Sequence, residues 1–222
     1  MSGGPGLTPS QTVGPFFHYA LLREEQHVLA GAESQGQRIR VEGQVFDGDG
    51  TPVPDAMIEI WQANAHGRYH HPADQRPLPL DPAFTGFGRC GTSDSGRYWF
   101  ETVKPGPVPF DTYDSSSERG GEPQQQQAPH ILVTVFGRGL LNHLVTRLYF
   151  EDDPATQTDP VLQRVPPDRR ATLIARRVAP AEAADGRSSR TAGPADPAGA
   201  VEAVYRLDIV LQGEGETVFF DV

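Results

Sequence analysis

Residues 38–46, Arg-Ile-Arg-Val-Glu-Gly-Gln-Val-Phe, alternate in character: Ile39, Val41 and Val45 fall on one face, Arg38, Arg40, Glu42 and Gln44 on the other. A period of two predicts a half-buried strand. Asp47-Gly48-Asp49-Gly50 then supplies residues that tolerate positive φ, and Pro52 and Pro54 lead into a second short strand over 57–62, so a hairpin or meander is expected. The same reading predicts strands over 96–103, entered through the turn Ser93-Asp94-Ser95-Gly96, and over 131–136, 144–150, 204–211 and 217–222. Seven short strands separated by Gly/Pro-rich turns predict an all-β fold, an antiparallel β-sandwich with long loops. One short helix is expected over 169–178, opened by Pro166-Pro167-Asp168, with Leu173, Ile174 and Val178 at helical spacing.

Composition agrees with a turn-rich fold: of 222 residues, 37% are hydrophobic and 22% charged, with 24 Gly and 21 Pro. We expect one domain over 1–222, an N-terminal arm (1–37) followed by the β-sandwich core (38–222), with loop insertions near 113–127 and 179–200. The first insertion carries four consecutive glutamines and the second is rich in Ala, Gly, Pro and Ser. Nineteen basic residues against 29 acidic give a net charge of −10, which argues against nucleic acid or an anionic membrane as partner, since both require a cationic surface. No run approaches the roughly 18 apolar residues of a spanning helix, and the first residues lack the basic start and apolar stretch of a leader. A soluble, cytoplasmic protein is expected. The lone Cys90 excludes an internal disulfide framework and a cysteine-rich zinc site, and reads as a small buried hydrophobe.

Phosphate loops, dinucleotide fingerprints, zinc-protease helices and nucleophile elbows are absent from the sequence. What remains is a handful of polar and aromatic positions. His66, His70 and His71 surround Tyr69, which reads as a polar loop after a strand as readily as a source of metal ligands. His130 opens a strand, but the position two residues on, which shares its face, is Leu132, and one imidazole alone does not hold a metal. The stretch 8–17 is too rich in Pro and Gly for a helix and too aromatic for a free tail, so it is expected to dock. Arg138, between Gly137 and Gly139, is either a solvated turn arginine or an anion clamp.

Several ordered segments carry a resemblance: Thr8-Pro-Ser-Gln-Thr-Val-Gly-Pro-Phe-Phe17, Ile58-Glu-Ile-Trp-Gln-Ala-Asn-Ala-His-Gly-Arg-Tyr69, Thr102-Val-Lys-Pro-Gly-Pro107, Ala128-Pro-His-Ile131 and Gly213-Glu-Gly-Glu-Thr-Val-Phe-Phe220. Together they resemble the intradiol ring-cleaving dioxygenases from about residue 8 to the C-terminus, sparing the two insertions. The resemblance implies a β-sandwich enzyme that inserts both atoms of O₂ between the hydroxyl-bearing carbons of a catechol, using a ferric ion held by two tyrosines and two histidines. Hard anionic phenolates suit the +3 state. Carried over position by position, these four are Tyr69, Val108, His130 and Leu132, so half the donors are missing. The likeness is therefore to chains that bind no iron themselves and pair with a homologous iron-bearing beta subunit, which holds the Fe(III). It further implies protocatechuate and O₂ as substrates, with Thr12, Gly14 and Pro15 lining the pocket beside the partner's iron and Arg138 holding the substrate carboxylate. The alternative is a non-catalytic β-sandwich binding module, since a fold alone does not supply a function.

Overall fold

The structure, a computed structural model, describes residues 9–110, 125–179 and 200–221. Thr8, Val222 and most of the two expected insertions near 113–127 and 179–200 lie outside the described residues. One short helix, α1 (Phe17–Leu21), precedes eleven strands: β1 (Arg38–Phe46), β2 (Ala56–Trp61), β3 (Phe87–Gly91), β4 (Arg97–Val103), β5 (Val108–Pro109), β6 (Gln126–Gln127), β7 (His130–Gly137), β8 (Leu144–Phe150), β9 (Ile174–Val178), β10 (Ala203–Arg206) and β11 (Ile209–Val210). Among the described residues no helix is long and apolar enough to cross a membrane.

β1 organises the sheet. β4 pairs with it antiparallel, while β10 and β11 pair with it parallel at the same register offset, so they lie end to end along its other edge. From β10 the sheet continues through β9, β8, β7 and β2 to β3, and β5 and β6 form a separate two-stranded ribbon. Alternate residues point inward: Ile39, Val41 and Val45 from β1, Ile58 and Ile60 from β2, and Ile131, Val133 and Val135 from β7 enter one core with Phe100, Phe150 and Tyr205. Both halves of the sheet therefore curl round a common interior. Leu29 and Ala30 join this core as well, because 27–31 bridge to Glu101, Ala83 and Phe84 and Arg38 donates to the carbonyls of Gly31 and Ala30.

Four expectations need correction. The sheet is mixed, not antiparallel, because β1–β10, β1–β11 and β8–β9 run parallel. Alternation has the same period in either case, so the pattern carries no direction. The helix expected over 169–178 is a 3-10 turn, Arg170–Leu173, followed by β9. There Ala175 is buried between β8 and β10 while Arg176 and Arg177 stay exposed. The expected strand over 217–222 makes a single bridge, Phe220 to Val145. The stretch 204–211 is split at Leu207 and Asp208, where side chains enter the ladder: the Leu207 carbonyl accepts from the Tyr98 hydroxyl at 2.7 Å and the Gln44 N–H is taken by the Asp208 carboxylate at 2.9 Å. Cys90 is half-buried on β3 against the core, and burial pushes its thiol up, as its reading as a small hydrophobe requires.

Candidate functional site

Two groups of sequence-selected residues occupy opposite ends of the β2–β7 pair. At one end, the arm docks: Thr12 Oγ1 accepts a hydrogen bond from the Gly139 N–H at 3.0 Å, and Phe17 is buried. A cleft of about 250 Å³ lies between Ser10, Gln11 and Val13 of the arm and Phe136, Leu140 and His143. The structure thus brings Thr12 against the turn that carries Arg138. Arg138 Nε meets Asp55 Oδ2 at 2.6 Å, an ion pair in which the arginine side chain remains 58% exposed. Nothing in the sequence pattern pointed to Asp55, since the pair depends on Gly137 lying opposite Ala56 in the β2–β7 register. Gly14 has φ +70 with open space where a Cβ would project, and Pro15 is exposed; neither meets Arg138 in any contact that the structure describes.

At the other end stands Tyr69. Asn64, buried after β2, builds the turn before it: its Oδ1 accepts from the N–H groups of His66 and Arg68, and its carbonyl accepts from Gly67 and Gly106. Asp74 then accepts from the Tyr69 N–H at 2.8 Å and from the Arg76 guanidinium, which holds its carboxyl well below the usual range. Trp61 stacks on Tyr69 with centroids 5.8 Å apart and planes 11° from parallel. These residues, with Val108, Pro109 and Gln127, line a cavity of about 680 Å³. Burial pushes the Tyr69 phenol above its ordinary value.

His130 lies behind this wall. It is 7% exposed, its Nδ1 is 2.7 Å from the Ala128 carbonyl, and its ring packs on Tyr149. That geometry makes Nδ1–H the donor. Leu132, the position that would add a second imidazole, sits on β7 directly between Trp61 of β2 and Arg147 of β8. Arg147 donates to Gln127 Oε1 at 2.7 Å and lies close enough to bias both Tyr69 and His130. A ferric ion needs anionic oxygens and imidazoles. Of the four positions only Tyr69 and His130 carry donor atoms, Val108 and Leu132 put hydrocarbon at the other two, and the Arg76 and Arg147 guanidiniums bring positive charge nearby, so the residues do not make up the ligand set of that ion.

Burial pushes His130 down to about 4 from 6.5, and the Arg147 charge acts in the same direction. The histidine is therefore neutral in the folded chain at pH 7, and its contribution to stability is complete above 6.5. As pH falls from 6.5 towards 4 the unfolded chain takes up the proton first, and about 2–3 kcal/mol is lost by pH 4.5. Urea unfolding of His130→Gln, compared with wild type at pH 7 and 4.5, should show a smaller acid-induced loss by that amount. Equal losses in the two proteins would show that His130 does not carry it.

The family model described as "Dioxygenase" matches residues 13–213. The chain is 40% identical over 227 residues to the protocatechuate 3,4-dioxygenase alpha chain of Burkholderia cepacia, covering 97% of each. It is also 40% identical over 167 residues to the protocatechuate 3,4-dioxygenase beta chain of Burkholderia cepacia, covering 75% of this chain and 66% of that one. Among solved structures, 3-chlorocatechol 1,2-dioxygenase from Rhodococcus opacus 1CP superposes with a TM-score of 0.58 at 20% identity, over 84% of this chain. The chain spans 65% of the length of that enzyme, and the likeness concerns the fold. With a matched segment covering most of the chain and an alpha-chain relative matched end to end, the chain belongs to the intradiol ring-cleaving dioxygenase family.

Proposed function

We propose that this chain is the iron-free alpha subunit of a cytoplasmic two-chain protocatechuate 3,4-dioxygenase, folded as one domain and paired with a homologous beta subunit that holds the Fe(III). One observation carries the reading: likeness to an alpha chain runs end to end, while Val108 and Leu132 put hydrocarbon at two of the four iron-ligand positions. The complex cleaves protocatechuate between its hydroxyl-bearing carbons, and both oxygen atoms enter 3-carboxy-cis,cis-muconate.

In this reading the arm forms part of the pocket wall. The Thr12–Gly139 bond fixes the arm on the Arg138 turn, so Gly14 and the rigid ring of Pro15 are presented from a held base. Arg138 receives the substrate carboxylate. A guanidinium carries five N–H donors, so a carboxylate binds at Nη1 and Nη2 while Asp55 keeps Nε. Phe16 and Tyr19 are 76% and 85% exposed beside this end, and Leu141 is 62% exposed. Large apolar side chains exposed to water on the arm and beside the Arg138 turn suit a surface that a partner subunit covers.

The test is an iron assay, visible spectrum and O₂ uptake with protocatechuate, on the chain alone and co-expressed with a beta chain. The chain alone should be colourless and inactive; the complex should be coloured by tyrosinate-to-iron charge transfer and should consume O₂. Arg138→Ala in the complex should raise KM for protocatechuate about tenfold or more, the cost of a charge-assisted pair, with iron content unchanged. Stoichiometric iron and turnover in the chain alone would overturn the subunit reading. An unchanged KM would remove Arg138 from the pocket.

A further inference from the structure

Among the described residues a cavity stands open between Tyr69 and Val108, two of the four positions that the family's iron ligands would take. At about 680 Å³ it lies inside the range of small-ligand sites. One wall is aromatic, made of Trp61 stacked on Tyr69 with His71 edge-on to the indole at 6.3 Å, and Val108 and Pro109 add hydrocarbon. The charges at its edge are unequal. Asp74 is bound by Arg76 and by the Tyr69 N–H, so that pair is internally neutral. Asp159 is 1% exposed and directs its oxygens at three backbone N–H groups and the Tyr149 hydroxyl. Arg147 stands behind Gln127, which lines the cavity and is held by that guanidinium at Oε1 and by the Pro109 carbonyl at Nε2, so a positive charge backs that corner.

We propose that this cavity binds a planar aromatic carboxylate, its ring against the Trp61–Tyr69 face and its carboxylate at the Gln127–Arg147 corner. A flat π face offers stacking to any monocyclic aromatic ring. A guanidinium behind one corner of the cavity favours the acid over its neutral analogue. Because Val108 and Leu132 leave no metal to chelate, catechol hydroxyls are not required and a carboxylate without them suffices. The corner lies about 20 Å along β2 from the Arg138–Asp55 pair, since the six residues from Asp55 to Trp61 rise roughly 3.3 Å each. The two arginines can therefore be tested separately.

The probe is benzoate, titrated into the full-length chain by calorimetry, with catechol and Fe³⁺ as comparison ligands. Wild type should bind one benzoate per chain saturably, and catechol at least tenfold more weakly. Val108→Trp, which fills the cavity, should abolish benzoate binding; Arg147→Gln should weaken it at least tenfold; Arg138→Ala should leave it unchanged. If Arg147→Gln fails to fold, Val108→Trp alone decides. The proposal is overturned if benzoate does not saturate, if binding survives Val108→Trp, if it is lost in Arg138→Ala, or if catechol with Fe³⁺ binds in preference. None of these outcomes bears on whether the chain pairs with a beta subunit, which the O₂-uptake assay decides.

Discussion

Asp159→Asn is expected to lower stability by about 3 kcal/mol, read as the shift in the urea unfolding midpoint at pH 7. Asp159 is 1% exposed, yet both its oxygens are satisfied: Oδ2 accepts from the Ala128 N–H at 2.8 Å, and Oδ1 accepts from the N–H groups of Val161 and Leu162 and from the Tyr149 hydroxyl. Asparagine has the same shape but replaces one acceptor by a donor. In one orientation its NH₂ faces the Ala128 N–H; in the other it faces Val161 and Leu162. Either way a buried backbone donor loses its acceptor, at about 1–3 kcal/mol, and charge-assisted bonds become neutral ones. Relief of the buried charge offsets part of this, which keeps the figure near 3 rather than higher. The consequence reaches the cavity, because Ala128 sits between Gln127, which lines it, and His130, which bonds to the Ala128 carbonyl. A variant within about 1 kcal/mol of wild type would show that Asp159 does not hold this corner.

Asp159 also illustrates where legibility ends. β1 was readable from its alternating polarity, and β7 and β8 as short apolar runs bounded by turns. β3 was not, since Phe87-Gly88-Arg89-Cys90-Gly91 has no apolar period and its partner contact is polar, Arg89 to Glu59. β9 was misread because a short apolar run flanked by prolines satisfies helix and strand templates alike. α1 begins at Phe17, the last residue of the stretch judged too rich in Pro and Gly for a helix, and is only five residues long. Parallel pairing of β1 with β10 joins residues 164 positions apart, as the Arg38–Glu202 contact records, and no local signal encodes that.

The candidate site divides in the same way. Tyr69, Val108, His130 and Leu132 were legible as one set only through the resemblance to the family's ordered motifs, since residue pattern alone leaves Tyr69 in a polar loop and His130 a lone imidazole. Arg147 was not: it enters only because the β7–β8 register places it opposite Leu132. Asp55 likewise meets Arg138 through the β2–β7 register. Arg147 brings charge to an end where the four motif positions carry none, and Asp55 places an opposing charge on Arg138, so the electrostatic character of each end of the β2–β7 pair is a property of tertiary structure.

Gly67→Val is expected to cost about 3 kcal/mol or more and to pull the two cavity walls apart. Gly67 adopts φ +78, in the left-handed region where a side chain costs about 1–2 kcal/mol. A Cβ there would stand 2.1 Å from the Pro107 carbonyl oxygen, a backbone atom that cannot rotate aside. Both segments are pinned, because the Asn64 carbonyl accepts from Gly67 and Gly106 at 2.9 Å each, and Arg76 donates to the Gly67 carbonyl. Relieving the overlap therefore means displacing either the turn that carries Tyr69 or the strand that carries Val108, at about 1–3 kcal/mol beyond the backbone term. Gly50→Val separates the two contributions: Gly50 has φ +76 with open space around a Cβ, so it incurs the conformational cost alone. Urea midpoints should fall by about 1–2 kcal/mol for Gly50→Val and by at least 1 kcal/mol more for Gly67→Val. Equal losses would mean that Pro107 does not press on this turn, and that the separation of Tyr69 from Val108 is set by other contacts.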